Sequence, residues 1–204
     1  MTSNRKRKKI EDSDTELVES INAGRHDLFQ ELVKRYENKL YNFGSRMCGD
    51  TRDAEDMVQE TFLNVFKYLK DFRYETKFKN WLYRIATSIC IKKRRKSKFA
   101  PDRELSLEEF LPKEDAPTPG EIPNWAQLPL EKLLNEELSK MLQEAISALP
   151  KKYRVVVILR DVEGFSTAET AQILNIGESI VKVRLHRARL YLRDRLKGYF
   201  EHGV

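Results

Sequence analysis

The sequence predicts an all-α protein: two small helical domains joined by a Pro-rich acidic linker. Three observations carry that prediction. Apolar residues recur at three- and four-residue intervals on both sides of residues 100–133. Gly (8) and Pro (7) are scarce in 204 residues, which disfavours a sandwich or barrel with frequent tight turns. Six of the seven prolines (Pro101, Pro112, Pro117, Pro119, Pro123 and Pro129) fall in one stretch, where APTPGEIP (116–123) holds no regular element. The expected organisation is a basic, disordered tail over 1–22, a first domain over 23–99, the linker over 100–133 and a second domain over 134–204.

In the first domain, Leu28, Leu32, Tyr36 and Leu40 recur at four-residue steps and define one helix. Asp53 is the expected N-cap of the next, whose apolar stripe is Val58, Phe62, Val65, Phe66 and Leu69. Its opening turns carry Asp53, Glu55, Asp56, Gln59 and Glu60. Acids suit a helix N-terminus, but Glu55/Gln59 and Asp56/Glu60 repeat like or neutral groups at i+4, which does not help an isolated helix. A docking face for a basic protein and a solvated face are equally good readings. The third segment, 72–96, places Phe78, Trp81, Leu82, Ile85 and Ile89 towards the core and Arg84, Ser88, Ile91, Lys92 and Arg95 on another face. Phe72, Tyr74 and Tyr83 are interleaved with bases, and KKRRKSK (92–98) carries six positive charges in seven residues. Rings for stacking beside cations for phosphates suit melted or single-stranded nucleic acid. The plainer alternative makes the rings core and the basic run a solvated helix end.

Residues 102–137 hold ten acids and three bases, so the linker is as acidic as the preceding run is basic. Beyond it, Leu138, Met141, Leu142, Ala145, Ile146 and Leu149 form a helical stripe that ends at Pro150, and Val155–Leu159 reads as a buried helix. Ser166 and Glu169 make a capping box, so a helix is expected from Thr167, with Ala168, Ala171 and Leu174 on its packing face. Asn175-Ile176-Gly177 supplies a turn that tolerates left-handed backbone, and Ser179 is the expected cap of the following helix. On that helix Val181, Leu185, Ala188 and Leu192 form the buried stripe, Ile180, Val183, Arg184 and Arg187 a second face, and Lys182, His186, Arg189 and Arg193 basic flanks. A short helix, a turn and a second helix with basic flanks is the layout of a DNA-reading helix-turn-helix.

Net charge is +6. No run of apolar residues is long enough to span a membrane, and no apolar h-region follows the basic residues 5–9, so neither a membrane anchor nor a secretory signal is expected. Cys48 and Cys90 lie in unlike contexts, which excludes a disulfide framework and fits a cytoplasmic protein. No nucleophile–base set, carboxylate cluster or Cys/His metal spacing stands out, so neither an enzyme, a cofactor nor a metal is expected.

DAEDMVQETFLNVF (53–66), FKNWLYRIATS (78–88), LPKKYRVVVILRDVEGFSTAETAQIL (149–174) and VKVRLHRARLYLR (181–193) closely resemble the ECF-type sigma factors of bacterial RNA polymerase. The resemblance covers about residues 25–97 and 137–196, in order, with a variable linker between. It implies a subunit that binds core polymerase and directs promoter-specific initiation. Asp53, Glu55, Asp56, Gln59 and Glu60 would dock on the β′ coiled coil, which favours the docking reading of that face. Trp81, Tyr83, Arg84, Ser88, Lys92, Lys93, Arg94 and Arg95 would read and open the −10 element. Ser179, Ile180, Lys182, Val183, Arg184, Arg187 and Arg189 would read the −35 element, in a domain that also meets the β flap. An anti-sigma factor is a further implied partner. Two departures bear on promoter preference. Ser88 stands where the family often has Asn, and Ile180 and Val183 replace hydroxyl-bearing residues, favouring thymine methyls over hydrogen bonds. The competing class, an autonomous helix-turn-helix regulator with an N-terminal sensing domain, leaves the acidic helix and KFKNWLYRIA unexplained.

Overall fold

The computed structural model describes residues 9–96 and 136–202, with side chains over 9–92 and 138–197. The described residues divide into two compact units between Lys93 and Arg94, and every regular element among them is helical. The expected linker and residues 1–8 lie outside the described residues.

The first unit holds α1 (Thr15–Asn22), α2 (Phe29–Cys48), α3 (Thr51–Tyr68) and all but the last three residues of α4 (Phe78–Lys96). Gly49, at φ 78°, closes α2, and Asp50 then caps α3 by accepting from the amides of Arg52 (2.7 Å) and Asp53 (3.3 Å). The N-cap is therefore Asp50, not Asp53; both are good caps, and the left-handed glycine before Asp50 decides between them. The hairpin of α2 on α3 is close because Gly44 faces Ala54: a Cβ on Gly44 would lie 3.2 Å from the Ala54 Cα. Phe43, Met57, Val65, Leu82, Tyr83 and Ala86 are fully buried around this contact, with Phe43 edge-on to Tyr83 at 5.2 Å.

The tail boundary needs correction. Thr15–Asn22 is a helix that buries Val18 and Ile21, not part of a disordered tail. Two inward apolar residues in eight make too weak a pattern to read, and distant contacts secure the segment. Asp14 accepts from Arg35 and Tyr36, and Asn22 donates to the Leu69 carbonyl at 3.2 Å. One Asp12 carboxylate oxygen bonds the Asp14 amide at 3.0 Å, and the other accepts the Phe78 amide at 2.7 Å, satisfying the first turn of α4.

The second unit holds α5 (Glu136–Ala148), α6 (Lys151–Val157) continuing as a wider π turn (Ile158–Val162), α7 (Thr167–Leu174) and α8 (Glu178–His202). The valine-rich run is helical and buried, as expected, from Tyr153 to Leu159. Its Arg154 is 3% exposed and donates to the Ser147 and Leu149 carbonyls, which the end of α5 leaves without helical partners.

Candidate functional site

In the second unit the capping box is present: the Glu169 amide donates to Ser166 Oγ at 3.1 Å and the Ser166 amide to Glu169 Oε2 at 2.9 Å. Asn175 (φ 53°), not Gly177, takes the left-handed turn position. The packing face of α7 is Thr170, Ala171 and Ile173, while Ala168 is exposed and Leu174 half-buried. The expected face is thus displaced, since α7 is short enough for its neighbours to set its rotation. Likewise α8 starts at Glu178, so Ser179 lies inside the first turn and is not its cap.

On α8 the expected stripe of Val181, Leu185, Ala188 and Leu192 is buried, with Leu196 extending it. Ile180 and Val183 are 44% and 50% exposed, and their three-residue spacing sets them side by side on the helix surface. Lys182 and Ser179 are exposed, and Arg184 and Arg187 half-buried. Further along, Leu190 and Tyr191 are buried, while Arg193, Asp194, Arg195 and Lys197 are exposed and polar, so the exposed apolar residues of α8 lie in its first turns. Arg189 departs from the expectation. Its guanidinium is bidentate on Asp161, with Nε–Oδ2 3.0 Å and Nη2–Oδ1 2.6 Å, so it braces α8 against the π turn.

In the first unit Asp53, Glu55, Asp56, Gln59 and Glu60 are all exposed on α3. Leu63, 71% exposed, continues the line of Asp56, Gln59 and Glu60 one turn on. Phe66 is 56% exposed, its ring edge-on to Phe29 at 5.1 Å. Both were missed. The predicted stripe assigned Phe66 and Val58 to the core, whereas the buried line is Ala54, Met57, Thr61, Phe62 and Val65. The signal was present in Gly44 and Ala54: small residues mark the contact line of a close helix pair better than large ones do.

On α4, Arg84, Ser88 and Lys92 share one exposed face, and Trp81 is half-buried at its N-terminal end, its ring centroid 5.1 Å from that of Phe72. Ser88 Oγ donates to the Ile85 carbonyl at 2.9 Å. Tyr83 is corrected: it is 0% exposed and belongs to the core, as does Phe72 at 7%. Tyr74 stays half-exposed at the foot of α4, with φ 56°, and the Lys9 ammonium sits 4.9 Å from its ring centroid. The side chains of Lys93, Arg94 and Arg95 lie outside those described. Among the described residues no group of three His, Cys, Asp or Glu could hold a metal, and no helix is long and apolar enough to cross a membrane.

An acidic-apolar helix face in one helical unit, and a helix-turn-helix in the other, define a sigma-70-type architecture. Residues 32–100 match the Sigma-70 region 2 family and residues 139–192 the Sigma-70, region 4 family. The ECF RNA polymerase sigma factor SigW of Bacillus subtilis is 36% identical over 180 residues, covering 88% of this chain and 95% of SigW. SigM of Mycobacterium tuberculosis is 31% identical over 194 residues, covering 95% and 89% respectively. The chain belongs to the ECF sigma factors: it binds RNA polymerase and directs promoter-specific initiation. The fold is also that of CnrH, solved with the cytosolic domain of CnrY (TM-score 0.65, 23% identity, 92% of this chain and 99% of that one). The sigma factor RpoE of Bartonella quintana, solved with the anti-sigma factor NepR, aligns at TM-score 0.58 with 22% identity, over 83% and 96% of the two chains.

Proposed function

We propose that three surfaces divide the work of this sigma factor. The α3 face of Asp53, Glu55, Asp56, Gln59 and Glu60 docks on the β′ coiled coil, with Leu63 as its apolar extension. The α4 face of Trp81, Arg84, Ser88 and Lys92, together with the basic residues Lys93, Arg94 and Arg95 that follow in sequence, holds the −10 element while it opens. The first turns of α8, with Ser179, Ile180, Lys182, Val183, Arg184 and Arg187, enter the major groove at the −35 element, and the same unit meets the β flap. The observation that carries the reading is the exposure of Ile180 and Val183 at the start of a helix whose opposite side is fully packed. Apolar side chains there suit thymine methyl groups, and the neighbouring arginines suit phosphates or guanine edges. An anti-sigma partner that covers one or more of these faces is part of the proposal, by analogy with CnrH and RpoE.

The test is in vitro transcription with bacterial core polymerase on pooled promoter fragments from the host. New transcripts with defined starts are expected only when the protein is present. Arg184→Ala with Arg187→Ala should weaken upstream-element binding about tenfold or more, on the scale of one or two lost base or phosphate contacts, and leave polymerase binding intact. Asp56→Ala with Gln59→Ala should do the reverse. Equal loss in both assays would instead mean that the variants have unfolded.

A further inference from the structure

Read along the chain, Cys48 and Cys90 are unrelated; the fold brings them together. Their Sγ atoms are 3.1 Å apart, Cys48 as the last residue of α2 and Cys90 on the core side of α4. We propose that this pair is an oxidation site, at which a hydroperoxide forms an intramolecular disulfide tying the end of α2 to the later turns of α4. A disulfide bond of about 2.05 Å requires the sulfurs to close by roughly 1 Å. The last turn of α2, released into the left-handed Gly49, is placed to yield that movement.

The asymmetry of the pair sets the order of events. Cys48 is half-buried and the more open of the two, whereas Cys90 is 4% exposed, so a small oxidant meets Cys48 first. The Cys48 sulfur attacks one peroxide oxygen; the O–O bond breaks, the alcohol or water leaves with a proton, and Cys48 becomes a sulfenic acid. The Cys90 sulfur then attacks the Cys48 sulfur, the S–O bond breaks, and the hydroxyl leaves as water with the Cys90 proton. Overall two thiols lose two electrons and two protons, and one hydroperoxide is reduced. A neighbouring thiol at contact distance favours this second step over further oxidation of Cys48. Two cysteines side by side are also an ordinary way to fill a core, but that role has no need for one of them to reach solvent. The bridge leaves the face of Arg84, Ser88 and Lys92 open, since Cys90 lies on the same side of α4 as the buried Tyr83. It fixes α4 two residues before Lys92. That consequence rests on the proposed role of α4; the chemistry of the bridge does not.

The experiment treats the full-length protein with hydrogen peroxide, alkylates it after denaturation and measures intact mass and peptide maps. The expected product is a monomer that has lost two hydrogens and takes up no alkylating agent. It contains a Cys48–Cys90 linked peptide and reverts with a dithiol reductant. Its thermal midpoint should rise by several degrees over the reduced protein, and neither Cys48→Ser nor Cys90→Ala should show that rise. If Cys90→Ala does not fold, Cys48→Ser at the partly open end of α2 carries the control. Two alkylated thiols after peroxide, Cys48 as sulfinic acid beside an alkylated Cys90, or disulfides only between chains would overturn the proposal. Promoter opening by the reduced protein tests the role of α4 separately, so the two failures are distinguishable.

Discussion

Asp14 is 1% exposed, yet it stands at the junction of the N-terminal segment and α2, where Arg35 reaches one carboxylate oxygen and the Tyr36 hydroxyl donates to the other at 2.5 Å. Burial first, and then this hydrogen bond to Asp14, pushes the Tyr36 phenol well above the usual tyrosine range. The unfolded chain releases that proton near pH 10 (about the model-peptide value), while the folded chain keeps it. The unfolded state then binds fewer protons, so the stability that Tyr36 contributes is complete below about pH 10 and is lost as pH rises further. Tyr36→Phe should lower stability at neutral pH by about 1.5–3 kcal/mol, the scale of a hydrogen bond to a charged group. It should also flatten the decline of the unfolding midpoint above pH ~10; parallel declines for the two proteins would refute the assignment. A second residue-scale prediction concerns Gly44, where an added Cβ lies 2.5 Å from Met57 Cε and 3.2 Å from the Ala54 Cα. The methionine end can move, but the backbone of α3 cannot without opening the hairpin. Gly44→Val should therefore cost about 1–3 kcal/mol in chemical denaturation.

Elements show which features are local and which are not. The capping box of α7 involves residues three apart, so Ser166 and Glu169 were legible in the sequence and are present in the fold. Ser166→Ala should lower stability by about 1 kcal/mol and, because α7 supports α8, weaken upstream-element binding; Ser166→Asp should restore both. The buried stripe of α8 was legible because large apolar residues carry it. That of α3 was not, because Ala54 and Thr61 carry two of its five positions and a window that counts large side chains turns the helix towards Val58 and Phe66. The roles of Tyr83 and Arg189 were illegible for a different reason. An aromatic among bases reads alike whether it faces DNA or Phe43, and nothing near Arg189 announces Asp161, 28 residues away. Asp12 is further still from the Phe78 amide that it caps, at 66 residues. Local periodicity yields the elements; the destination of each polar group is a property of the tertiary fold.

At the scale of the molecule, the two proposed DNA-reading surfaces belong to separate compact units, and what would fix their separation on DNA can be tested. Residues 97–135 join the described parts of the units, and a peptide of that length reaches at most roughly 130 Å when fully extended. Contour length alone sets an upper limit and no fixed separation. A strict spacing must come from docking both units on one rigid body, which under the proposed function is core polymerase. On a promoter mapped by the transcription assay, inserting five base pairs between the −35 and −10 elements turns the upstream element about half a helical turn away. The α8 surface then faces the wrong side of the duplex while α4 is in place. Transcription should fall about tenfold or more, the scale of losing one specific module from a two-site contact. Arg184→Ala with Arg187→Ala should cause little further loss on the altered promoter, because the contact it removes is already broken. Undiminished transcription across the insertion would mean that the tether positions α8 and that the two units are not held in one frame.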